Sequence, residues 1–207
     1  MFTKCAQSLT AYFVKKEIIA EEDEEIYAYG FELLIPSVFA VTVALLIGML
    51  AKRLFASIVF LVVYCSLRRQ AGGFHAKTHF RCTFSFVFMY CLLMYLTSFE
   101  RINEQIVLFS PLLLISCVLF ALFAPVDNSE VQFEKRTKQE MKCKACILLV
   151  LYEMVIFYCV YIEKGWKEYV AIGELAIGFE SILLVLGVLQ NMLWRKRKNE
   201  DVRKSVE

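Results

Sequence analysis

A cysteine and a histidine held close together can carry out acyl transfer, because the thiolate attacks a carbonyl while the imidazole moves the proton. Both histidines of the chain, His75 and His79, fall in one polar stretch that ends on a cysteine: Arg68-Arg69-Gln70-Ala71-Gly72-Gly73-Phe74-His75-Ala76-Lys77-Thr78-His79-Phe80-Arg81-Cys82. Arg68, Arg69, Lys77 and Arg81 supply positive surroundings, which favour a thiolate. The Gly72-Gly73 pair permits backbone conformations closed to other residues and marks a turn or a close backbone approach. The plainer alternative is a basic loop at a surface that happens to contain His and Cys.

A base must come within roughly 2.6–3.2 Å of the proton it moves. On one continuous helix His75 and Cys82 would share a face but lie about 10.5 Å apart along the axis. His79, three residues before Cys82, could reach it on a helix, whereas His75 could do so only if the Gly-rich segment folds back over the helix start. The residues alone leave both histidines open.

The elements that must position this segment are read from hydropathy. Of 207 residues 59% are hydrophobic and 21% charged, and the mean hydropathy is +0.57, which marks a membrane protein. A formal charge of +2 gives no whole-chain basic field for nucleic acid. Spanning helices need about 20 apolar residues. The candidates are 33–51, 54–67, 83–99, 106–126, 145–162 and 169–194, the second short and the last carrying Glu174 and Glu180. The expected class is therefore all-α, a polytopic integral membrane protein of about six transmembrane helices, forming a single domain over 1–207.

At the N-terminus no apolar signal-peptide core is visible, so this stretch is expected to be kept. Phe2, Ala6, Leu9 and Phe13 recur at helical spacing, so residues 1–25 suit an interfacial amphipathic helix, or one packed on the rest of the protein. Residues 195–207 form a basic tail. Cytoplasmic loops carry the excess of Lys and Arg. With six spans and the N-terminus inside, 18 of the 23 basic residues are cytoplasmic; if 54–67 turns back, 17 are. The segment from Arg68 to Cys82 is cytoplasmic in both cases.

Other residues carry weaker signals. Cys143-Lys144-Ala145-Cys146 is a C-x-x-C without the second pair a zinc site would need, and most of the 8 cysteines read as packing. Glu153, Glu174 and Glu180 lie in apolar spans and must face a partner or a polar interior; none receives a catalytic role from sequence. They would line the path if the protein were a transporter or exporter of a peptide signal. The basic loop from Lys135 to Lys144 and the tail suit anionic lipid.

The polar segment, with Cys82 seven places after His75, resembles the signature of the accessory gene regulator B family, membrane endopeptidases that process quorum-sensing propeptides in Gram-positive bacteria. Ala124-Pro125-Val126-Asp127-Asn128 is similar to a turn of that family, and length and span count also fit. The resemblance implies a cysteine endopeptidase of the bacterial cell membrane with its active site on the cytoplasmic side. His75 would be the general base and acid and Cys82 the nucleophile. Arg68 and Gly73 would correspond to further residues that activity needs. His79 is outside the family pattern.

The resemblance further implies cleavage at the C-terminal side of the signal sequence through an acyl-thioester, followed by macrocyclisation to a thiolactone or lactone. It requires no metal or organic cofactor. The implied partners are a short amphipathic propeptide with a charged C-terminal tail, anionic lipid and a second copy of the chain, although no G-x-x-x-G face is present. Arg69 would help attract the tail, Lys77 would add positive charge near the thiol, and backbone N–H groups near Gly72 and Gly73 could hold the oxyanion. The family assignment makes one physical demand: the chain from Gly72 to Cys82 cannot be one straight helix.

Overall fold

Apolar runs with no water to satisfy their backbone must bond internally, and helices are the economical solution. The computed structural model of the protein describes residues 2–72, 79–108, 114–126, 135–163 and 166–206, and most of these are helical, with no strand among them. The helices are α1 (Phe2–Lys15), α2 (Glu24–Leu50), α3 (Leu54–Ala71), α4 (His79–Leu96), α5 (Glu100–Leu108), α6 (Leu114–Phe123), α7 (Lys135–Tyr158) and α8 (Lys167–Val206). A 3-10 turn, Glu21–Asp23, leads into α2, and a π turn, Cys159–Glu163, ends α7.

The all-α membrane class expected from hydropathy is what the structure shows, but the span count differs. Among the described residues four helical stretches are long and apolar enough to cross a bilayer: Glu21–Leu50, Leu54–Ala71, Arg136–Tyr161 and Lys167–Trp194. The short second run thus qualifies. Within the expected spans 83–99 and 106–126 the described residues form the shorter apolar helices Arg81–Leu96 and Leu114–Phe123, and 109–113 lie outside the described residues. Polar residues end the first of them. Thr97 and Ser98 turn their hydroxyls onto the carbonyls of Leu93 and Tyr95, competing with helix continuation. Glu100, Arg101, Asn103, Glu104 and Gln105 then make α5 amphipathic, which removes Ile106–Leu108 from the expected span.

The chain divides into two compact units. The first comprises Met1–Leu54 and Ala76–Leu92. Within it α1 lies on α2: Ala6 and Thr10 are buried, Phe13 stacks on Phe31 at 5.7 Å, and Thr3 donates to Glu32 at 2.7 Å. The N-terminal helix is thus packed on the protein, one of the two arrangements its periodicity allowed. Pro36, Ala40, Ala44 and Gly48 form the buried stripe of α2 at four-residue spacing. Small residues there let α4 approach, and the buried Tyr90 hydroxyl donates to the Ala44 carbonyl at 2.8 Å.

The second unit comprises Phe55–His75 and Leu93–Glu207. Its core takes Phe60, Leu67 and Ala71 from α3, Phe120 from α6, Leu149 from α7 and Ile172, Ile177 and Leu184 from α8. Side-chain contacts fix the helix faces: Tyr64 stacks on Phe179 at 5.8 Å, and the Ser66 and Tyr152 hydroxyls share a hydrogen bond of 2.8 Å. Elsewhere large apolar residues such as Val62, Leu122, Met154 and Ile182 stand exposed, as lipid-facing residues must.

Candidate functional site

Where α3 ends, the chain is held by several independent interactions. The last carbonyls of a helix have no intrahelical partner and must find one. Gly72 has φ +69 and its N–H donates to the Arg68 carbonyl at 3.1 Å, the left-handed cap that favours glycine. The Ala71 carbonyl accepts from Val126 N–H at 2.9 Å, and Gly72 and Val126 form an isolated parallel bridge. The Gly72 carbonyl accepts from Arg68 Nη1 at 2.8 Å, so the arginine caps its own helix through its side chain.

Contact between the strands of backbone at Gly72 and Val126 is close. A Cβ built on Gly72 would stand 2.6 Å from the Val126 carbonyl oxygen. Glycine is therefore required at 72 both by φ and by space. The two stretches that carried the resemblance in sequence, Arg68–Gly72 and Ala124–Val126, are thus in contact, through a turn that contains the cis Ala124-Pro125 bond.

Arg68 has a second partner in α8. Its Nη1 lies 3.4 Å from Oε1 of Glu180, whose side chain is fully enclosed while that of Arg68 is 17% exposed. The pairing joins residues 112 apart in sequence. It was signalled in advance only by the rule that an acid in an apolar helix needs a partner. Glu180 is the one member of this cluster that the motif did not point to.

The first unit carries the candidate nucleophile. Cys82 is half-buried in the first turn of α4, between exposed Arg81 and buried Thr83, and is a free thiol. His79 begins the same helix. α3 stops at Ala71, Gly72 is left-handed, and α4 begins at His79. His75, Gly73 and Lys77 lie outside the described residues. Arg69 is exposed at the end of α3.

Cys143 and Cys146 sit on α7, Cys143 exposed, and both are free thiols. Among the described residues no group of three or more His, Cys, Asp or Glu side chains is arranged to hold a metal ion. Glu174 and Glu153 each keep one carboxylate oxygen buried without a hydrogen-bond partner among the described residues.

The fold defines a polytopic helical membrane protein, with a glycine-capped, arginine-clamped helix end in one unit and a helix-borne thiol in the other. Residues 6–186 match the family model of accessory gene regulator B, and the chain belongs to that family. It is similar to AgrB-like protein 2 of Clostridium perfringens (strain 13 / Type A), 28% identical over 154 residues covering 70% of this chain and 72% of that one. It is also similar to an AgrB-like protein of Clostridium perfringens (strain SM101 / Type A), 27% identical with the same coverage. No solved structure matches the chain. The family is one whose role lies in quorum-sensing propeptide processing, and the chain is consistent with that role.

Proposed function

We propose that the protein is a cysteine endopeptidase of the bacterial cell membrane that cleaves a quorum-sensing propeptide at its cytoplasmic face and closes the product into a ring. The observation that carries this reading is the His75…Cys82 signature in a chain matched by the family over residues 6–186. The nucleophile's position in the first turn of a helix supports it, because the free N–H groups there attract developing negative charge.

In the first step Cys82 Sγ, deprotonated by His75, attacks the carbonyl that ends the signal sequence. Backbone N–H groups at the start of α4 or near Gly72 and Gly73 hold the oxyanion. The C–N bond breaks, the leaving amine takes the proton from the imidazolium, and the acyl group remains on sulfur as a thioester. In the second step a thiol or hydroxyl within the bound peptide gives its proton to His75 and attacks the thioester carbonyl, and the C–S bond breaks as Cys82 thiolate departs. Thioester exchange is nearly balanced in energy, so ring closure depends on proximity and on keeping water out. A site at the membrane surface serves both needs.

The substrate of this reading is a short amphipathic propeptide whose leader lies in the inner leaflet. Its charged tail would meet the basic surface offered by Arg69, the first turns of α7 from Lys135 to Lys144, which are helix where the sequence suggested a loop, and the basic end of α8 from Arg195 to Lys204, which also favours anionic lipid. A homodimer and one integral peptidase domain complete the picture.

Cys82→Ala and Cys82→Ser are expected to abolish release of the propeptide tail while membrane insertion persists, and His75→Ala to be far more damaging than His79→Ala. Release of the tail by purified protein in detergent, followed by mass spectrometry, checks all four. Retained cleavage by the Cys82 variants would end the assignment, and the reverse histidine order would mean that His79 is the base.

A second reading, a transporter or exporter of a peptide signal, is favoured by the buried carboxylate oxygens of Glu153 and Glu174. Purified protein that leaves the propeptide uncut would favour it.

A further inference from the structure

Glu180 takes no part in the reaction proposed above, yet a carboxylate stands fully enclosed in the apolar part of α8. Its Oε1 faces Arg68, and its Oε2 is buried with no hydrogen-bond partner among the described residues. A pair this incompletely satisfied is a poor way to join two helices. Apolar residues of similar volume usually do so as well or better, since both charges must be taken out of water. Its use has to be sought in what the guanidinium does next.

The same Nη1 that meets Glu180 at 3.4 Å donates to the Gly72 carbonyl at 2.8 Å. Gly72 is the last described residue before the segment that contains His75. Its N–H is tied to the Arg68 carbonyl, its Cα face is closed by Val126, and its carbonyl is held by the Arg68 guanidinium. An arginine has several rotamers open to it at a helix end, and a fixed carboxylate selects one.

We propose that Glu180 is a positioning residue for the peptidase. It holds the Arg68 guanidinium over the Gly72 carbonyl and so sets the direction in which the chain leaves α3 toward His75. The proposal rests on the reading of His75 and Cys82 as the reacting pair. It differs from a structural role in a measurable way, because the charge pair is tied to turnover and not to the integrity of the helices.

Three variants test it, each purified in detergent and assayed for tail release and thermal unfolding. Glu180→Gln keeps the size and an acceptor oxygen but removes the charge. It is expected to lower kcat about tenfold or more, with KM for the propeptide within about twofold of the wild type. The neutral pair Arg68→Met with Glu180→Leu is expected to fold as well as the wild type and to stay slow. Cys82→Ala is the control for the underlying reading. If Glu180→Gln turns over at the wild-type rate, or changes KM alone, or if the neutral pair recovers activity, the proposal is overturned. Failure of the neutral pair to fold overturns it too, since the pair would then hold the helices together. Cleavage by Cys82→Ala would instead overturn the dyad and leave the two failures distinct.

Discussion

A left-handed residue pressed against another backbone tolerates no side chain, and Gly72 meets both conditions at once. Its φ of +69 alone costs an L-residue about 1–2 kcal/mol. The 2.6 Å approach to the Val126 oxygen adds a clash with backbone, which cannot swing aside as a flexible side chain would. Gly72→Ala is therefore expected to destabilise the protein by more than about 1–2 kcal/mol in thermal unfolding and to slow tail release strongly. A variant as stable and as active as the wild type would show that the cap at the end of α3 does not govern the segment beyond it. At this scale the Gly pair was readable as a turn or a close approach, and its partner Val126 lay in the one other stretch that carried the resemblance. The Arg68–Glu180 pair was not readable, because nothing local links side chains 112 residues apart. The rule that a buried acid needs a cation narrowed the choice without making it.

Helices were readable where apolar length was unbroken, as in α2, or interrupted by single acids, as in α7 and α8, and less so where several polar residues cluster. Hydropathy averages over such residues, whereas hydrogen bonding does not. The junction between α4 and α5 is an example. Asn103 is buried and its Nδ2 donates to the Thr97 carbonyl at 2.9 Å, satisfying an oxygen freed by the end of α4. Asn103→Ala should cost about 1–2 kcal/mol, read as a lowered thermal midpoint in detergent. No change in midpoint would mean that the hydroxyls of Thr97 and Ser98 suffice to end the helix. Next to it, the exposed Lys167 ammonium lies 2.9 Å from Glu104 and holds its carboxyl below the usual carboxylate range. Whatever that pair contributes is present above the unfolded carboxylate pKa and is lost as pH falls through the lowered one. Salt weakens such an exposed pair, so the buried amide is the stronger fixture.

For the whole molecule, sidedness follows from parity and does not require the two shorter helices to be classified. Between the spans Leu54–Ala71 and Arg136–Tyr161 the chain crosses either twice more or not at all, if Arg81–Leu96 and Leu114–Phe123 act alike. Either count puts the Arg68–Cys82 segment and the basic start of α7 on the same side. With four spans 19 of the 23 basic residues lie on that side, and with six 18 do, the excess that the positive-inside rule expects of a cytoplasmic side. In a background freed of other cysteines, the exposed Cys143 should react with an impermeant maleimide only from the cytoplasmic face, and Lys52→Cys only from the opposite one. Labelling in the opposite order would reverse the placement of the proposed site, and labelling of both from one face would contradict the crossing at Leu54–Ala71.

The central claim is that Cys82 sulfur carries the peptide's acyl group, and capture of that species tests it most directly. A propeptide whose ring-forming cysteine is replaced by alanine, co-expressed with the protein, leaves the thioester without its internal nucleophile. Mass spectrometry of the digested protein is expected to find the leader and signal sequence attached at Cys82, with the tail released. Tail release with Cys82 unmodified, or attachment at another of the eight cysteines, would contradict the account.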